Sequence, residues 1–146
     1  MQVICQKRKR EDIILDPTCR FQVQEIADEL VIGKVYTVYG MCLVDACLNY
    51  LIDPQYRGGL SSPTWYPAEL FEVKTSQIPS LWLFGYYIDR HKFQYPTIAR
   101  WGYPELVLSD GHFSGLQERN EKDMLIWLQR KAEINAEEAV NSDENV

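Results

Sequence analysis

At 146 residues and 17.1 kDa the chain has the size of one domain, too short for a second independent core, and its 46% hydrophobic and 25% charged residues exclude disorder over most of its length. The formal net charge of −6 sits largely at the C-terminal end, where residues 135–146 hold Glu137, Glu138, Asp143 and Glu144 and no Lys or Arg. Residues 1–134 carry fifteen basic and seventeen acidic groups, so the body is nearly balanced and gives no support to nucleic-acid binding driven by phosphate neutralisation.

Val3-Ile4-Cys5 reads as a short strand, cut off by the charged stretch Lys7 to Asp12, which reads as an exposed loop. No apolar run approaches the ~20 residues that cross a bilayer, and the basic Lys7 to Arg10 is followed by Glu11-Asp12 rather than by the apolar core of a secretory signal. The expectation is a cytoplasmic protein with no membrane partner, in which Cys5, Cys19, Cys42 and Cys47 stay reduced. Ile13 to Leu15 and Phe21 to Ile26 fit either a strand or a short helix.

From Leu30 to Tyr39, Gly33-Lys34 punctuates two apolar runs, the second dense in β-branched and aromatic residues. Cys42 to Val44 and Cys47 to Ile52 continue in the same style across Asp45, which predicts a meander of short strands. Asp53-Pro54 ends it, and residues 57–63, with two glycines and a proline, read as a loop. Thr64 to Pro67 and Leu70 to Val73 predict further strand, with Pro67 at an edge, bulge or corner because it cannot donate to a ladder. Residues 78–88 are the most apolar stretch and predict a buried strand, with an exposed aromatic contact patch as the alternative. Five Gly and Pro residues between Tyr95 and Gly115 predict irregular structure.

Asn120 can cap a helix whose first turn carries Glu121 and Asp123, acids favourable at the positive helix end. Leu125, Leu128 and Ala132 recur at three- and four-residue spacing and predict the buried stripe of a helix over 120–135, flanked by Met124 and Trp127. Together these elements predict a mainly β (α+β) single domain over residues 1–135, followed by an acidic flexible tail over 136–146. The expected core includes Val3, Val35, Val38, Leu51, Ile52, Phe71, Leu83 and Leu128.

The run Val31-x-Gly33-Lys34-x-Tyr36-x-Val38, then Tyr50-Leu51-Ile52-Asp53, then Trp65-Tyr66-Pro67-x-x-x-Phe71 resembles a pattern of small SH3-like barrel proteins of bacteria and phages. The resemblance covers residues 1–75, with longer loops at 11–30 and 57–63. It implies an SH3-like antiparallel barrel, here extended by the 78–88 strand and the C-terminal helix. It also implies a groove at Trp65, Tyr66 and Pro67 that could take a peptide, against the simpler placing of Trp65 and Phe71 in the core. Gly102-Tyr103-Pro104-Glu105-Leu106, His112 and Leu116-x-Glu118-Arg119 resemble the end of bacterial toxin-immunity proteins.

The chemistry-bearing residues give no catalytic, cofactor or metal site. Cys42 and Cys47 lack the second Cys or His pair that zinc needs and fit small buried hydrophobes better. Asp110-Gly111-His112 could set a carboxylate beside an imidazole, but nothing in the sequence brings a thiol to it, and His91 lies in a polar turn. Gly33-Lys34 lacks the remainder of a phosphate loop. Lys7 to Arg10 could contact nucleic acid, yet the adjacent acids weaken that use.

The expectation is therefore a non-catalytic protein-binding protein, of which an immunity protein that neutralises a cognate toxin is the first form; an SH3-like module for a peptide or nucleic acid is the alternative. The expected contact residues for a basic toxin domain are Trp65, Tyr66, Glu69, Trp101 and Glu105, aromatic anchors beside acids.

Overall fold

A computed structural model of the chain describes residues 1–17, 19, 27–55, 59–86 and 97–144. Its described strands form two antiparallel sheets, and the C-terminal third is helical. β1 (Gln2–Cys5) lies between β2 (Val35–Thr37) and β6 (Phe71–Thr75) in a three-stranded sheet. β5 (Thr64–Pro67), β4 (Cys47–Ile52), β3 (Gly40–Val44), β8 (Thr97–Gly102) and β7 (Leu83–Tyr86) form a five-stranded sheet in that order. Only Val38 and Tyr39 separate β2 from β3, so one bent segment carries the chain between the sheets. A 3-10 turn at Ala68–Leu70 does the same from β5 to β6. The mainly β class and C-terminal helix agree with the sequence, whereas the described strands do not close into one barrel.

Alternation along β4 explains why its sequence is almost continuously apolar. Successive side chains leave a strand on opposite faces. Tyr50 and Ile52 therefore enter a first core with Val3, Tyr36, Val38, Tyr66 and Leu70 between the sheets. Leu51 enters a second core on the outer face of the large sheet, with Cys42, Val44, Tyr103, Leu106, Phe113, Leu116, Trp127 and Ile134. Burial on both faces removes the polar half of the alternation.

The helices α1 (Pro104–Leu108), α2 (Asp110–Gln117) and α3 (Glu121–Glu144) cover that second face. Residues 97–117 are thus regular where the sequence predicts irregular chain. Pro104 stands at the first turn of α1, where its missing N–H costs nothing. Gly40 and Gly102 lie where any Cβ would strike the Leu106 side chain, so these glycines permit close packing of α1 on the strands.

Asn120 accepts the Lys122 N–H at 3.1 Å and caps α3, as the sequence predicts. The helix continues past 135 to Glu144, into the segment predicted to be a flexible acidic tail. Glu138 accepts from Thr37 Oγ1 at 2.6 Å, and Glu137 accepts from the Ser80 N–H at 2.8 Å. The face turned inward is Asp123, Trp127 and Ile134, not Leu125, Leu128 and Ala132. Trp127 is 0% exposed, Leu128 47% and Leu125 63%. Of the other expected core residues, Val3, Val38, Leu51 and Ile52 are buried, Val35 and Phe71 are half-buried, and Leu83 is exposed.

Candidate functional site

β7 is the edge of the large sheet, and among the described residues no strand pairs on its outer side. The sequence predicts a buried strand here, yet Leu83 is 41% exposed, Phe84 59% and Tyr86 60%. Registration across the sheet explains what surrounds them. Phe84 pairs with Trp101, Trp101 with Met41, Met41 with Tyr50, and Tyr50 with Tyr66. Residues paired in this way share one face. At the β4–β5 end the row is covered by the three-stranded sheet, whose core contains Tyr50 and Tyr66. At the β8–β7 end it is open: Phe84 lies against Trp101 with ring centroids 5.0 Å apart, Trp101 and Leu43 are half-buried, and Tyr86 is exposed. The result is an apolar, aromatic half-face at a sheet edge whose strand, Leu83-Phe84-Gly85-Tyr86, has neither Pro nor Lys to block pairing.

The residues predicted to contact a partner do not come together. Trp65 and Tyr66 are neighbours on a strand and so face opposite sides. Trp65 packs half-buried against Phe113 of α2 with ring centroids 5.4 Å apart. Tyr66 is buried and donates its hydroxyl to Glu29. Glu69 is exposed on the 3-10 turn. Glu105 is held at both carboxylate oxygens by Arg130, at 2.7 and 2.9 Å. The Arg130 guanidinium holds its carboxyl below the usual range, against some opposing burial. Trp101 alone belongs to the open aromatic face. Phe84 and Tyr86 belong to the stretch for which the sequence offers an exposed aromatic patch only as the alternative to a buried strand, because an apolar run looks alike at an edge and in a core.

Asp110 and His112, which the sequence could set side by side, have separate partners. Asp110 binds Arg100 at 2.9 Å. His112 is buried, with Nδ1 2.8 Å from Asp123 Oδ1 and Nε2 2.8 Å from the Tyr103 hydroxyl. Burial drives the Tyr103 phenol well above its ordinary range, which keeps it neutral and able to share a proton with the imidazole. Both ring nitrogens are engaged away from solvent, so the group ties the end of β8 to α2 and α3. Gly115 makes room for it, since a Cβ there would collide with the Asp123 carboxylate. Gly115→Ala should therefore destabilise the protein by about 1–3 kcal/mol, read by urea denaturation; a change indistinguishable from zero would mean that the packing of α2 on α3 adapts freely.

A second polar cluster pins Asp53, Ser61 and Ser62 to α3. Asp53 accepts from Lys131 Nζ, from Ser61 Oγ at 2.6 Å, and from the Ser62 and Gln55 N–H groups at 3.1 Å each. Trp127 Nε1 donates to Ser61 Oγ at 2.8 Å. Burial pushes the Asp53 carboxyl upward, but these four donors outweigh it and leave the group below its ordinary value.

Cys19 and Cys47 form a disulfide with Cα atoms 5.5 Å apart, correcting the expectation that all four cysteines are reduced. Cys5 and Cys42 are free and buried, and burial pushes the Cys42 thiol strongly up, away from reactivity. Among the described residues, no group of three or more His, Cys, Asp or Glu could hold a metal ion, and no helix is long and apolar enough to cross a membrane. His91 and residues 20–26 lie outside the described residues. No family model, curated protein or solved structure matches the chain.

Proposed function

We propose that this chain is a non-catalytic protein-binding protein, of the kind that neutralises a basic toxin domain, and that its partner docks at the β7 edge and the aromatic face beside it. The carrying observation is the joint exposure of Phe84 and Tyr86 on one face of an open sheet edge, with Phe84 packed against Trp101. Contiguous exposed apolar surface on a monomer usually marks an interaction site, and aromatic side chains are the commonest anchors of such sites. The open edge offers backbone donors and acceptors to an extended segment of the partner, while the rings supply contact area. The charge of −6 suits a basic partner and speeds encounter with one.

The connectivity supports a second reading. β1, the bent β2–β3 segment, β4, β5, a 3-10 turn and β6 returning beside β1 follow the order of an SH3-like barrel, for which a peptide- or nucleic-acid-binding module is the alternative role. The acidic charge disfavours the nucleic-acid form of it.

The test is binding of the partner isolated from host cells to wild-type and variant protein. Phe84→Glu and Tyr86→Ala should each weaken the complex at least about tenfold without lowering the melting temperature, because both side chains are exposed. Trp65→Phe should leave binding unchanged. Equal binding by Phe84→Glu and wild type would overturn the proposed face. Binding to nucleic acid that falls steeply with salt would favour the second reading.

A further inference from the structure

A cleft of about 320 Å³ opens where the start of β1, the end of β6 and residues 77–79 meet the last turns of α3. That volume is at the lower end of the ~300–1,000 Å³ of small-ligand sites, so the cleft suits a small molecule. Phe84, Tyr86 and Trp101 do not line it, and it stands apart from the aromatic face at β7. We propose that this cleft binds a free α-amino acid with an apolar side chain.

Pairing within the protein decides which charges are left for a ligand. The charged groups of the lining residues are the Met1 ammonium, Lys74, Glu137 and Glu138. Glu138 holds the Met1 ammonium at 2.9 Å and accepts from Thr37 Oγ1 at 2.6 Å, so those two charges answer each other. Glu137 is bound only by uncharged donors, the Ser80 N–H at 2.8 Å and Ser80 Oγ at 3.0 Å. A carboxylate offers about four acceptor positions, which leaves Glu137 room for a cation. Lys74 is exposed and has no hydrogen-bond or ion-pair partner among the described residues, and it does not pair with Glu137.

The cleft thus presents one ammonium and one carboxylate that no opposite charge in the described chain neutralises. A simple ion of either sign would be drawn to one and repelled by the other. A molecule carrying both charges answers both, its carboxylate at Lys74 and its ammonium at Glu137, through charge-assisted hydrogen bonds. Met1, Ile78 and Pro79 supply apolar surface to the same cleft, and Ile78 is 52% exposed. An apolar side chain laid over them removes that surface from water. Because Lys74 is exposed, solvent screens its contact, and the affinity expected is millimolar.

Titration of isotope-labelled protein with L-leucine, followed by amide chemical shifts, tests the assignment. Leucine should shift the amides of residues 74–79 and 137–142 saturably. Leucine methyl ester, which lacks the carboxylate, and isocaproate, which lacks the ammonium, should each bind at least about tenfold more weakly. Lys74→Gln and Glu137→Gln should each weaken leucine binding to a similar degree, and Lys74→Gln should do so with an unchanged melting curve, since that side chain has no partner to lose. No saturable shift in these segments up to the solubility of leucine, an equal response to isocaproate, or full binding by Lys74→Gln would overturn the proposal.

Discussion

Replacing Trp127 with alanine is expected to destabilise the protein by about 3–5 kcal/mol, the range for large-to-small changes of a fully buried aromatic, whereas Leu128→Ala next to it should stay within about 0.5 kcal/mol. Trp127 is wholly enclosed, stacks edge-on against Tyr39 with centroids 4.9 Å apart, and donates its indole N–H to Ser61. Its removal leaves a cavity beneath α3 and takes a donor from the Asp53–Ser61 cluster. Burial also pushes the Tyr39 phenol up to about 12, so that ring stays neutral at ordinary pH and cannot compensate by charge. Urea denaturation of the two variants decides which face of α3 holds the fold; similar losses from both would contradict the inward placement of Trp127.

Asp53→Ala should cost a comparable amount, about 3–5 kcal/mol, because it strips the partner from an ammonium that is largely withdrawn from water and leaves several donors unanswered. Lys131 is 17% exposed at the side chain and Asp53 2%. The sign of the pH dependence follows from the lowered pKa of Asp53. A carboxyl held lower in the folded than in the unfolded protein contributes stability that is fully present above its unfolded value, about 3.9. That contribution is lost as pH falls through the lower, folded value. Wild-type protein should therefore lose stability below about pH 4 more steeply than Asp53→Ala, which lacks this term. Parallel acid-denaturation curves for the two would contradict the assignment.

Local patterns in the sequence identify the elements better than they identify what those elements face. β3 and β4 are readable because dense apolar and β-branched residues flank the short break at Asp45 and Ala46, and α3 begins where Asn120 can cap it. The buried side of α3 is not readable, because the helix carries two apolar stripes. The more regular of the two, Leu125–Leu128–Ala132, is the one left outside. The inward stripe is masked by Asp123 and Lys131, whose charges are answered only by His112 and Asp53, eleven and 78 residues away.

The same limit applies at the candidate site. The composition of β7 suits a buried strand, and its exposure follows only from its place at the edge of a sheet whose order is set by pairing with β8. Residues 97–108 appear irregular in sequence because Gly102 and Pro104 usually mark turns. Here Gly102 admits Leu106 and Pro104 begins α1, two uses that depend on packing rather than local preference. Trp65 and Trp101, equivalent by composition, separate because the pleat sends one toward the helices and leaves the other beside Phe84.

Protein binding at the β7 edge is tested most directly by hydrogen exchange of the protein alone and in complex with its purified partner. An unpaired edge strand exchanges readily, and pairing with an incoming segment removes its outward amides from water. The expected result is slowed exchange across Leu83–Tyr86 in the complex, together with protection of Trp101 on β8 and no change at Trp65 or Glu69. Unaltered exchange at Leu83–Tyr86 with protection elsewhere on the protein would contradict it.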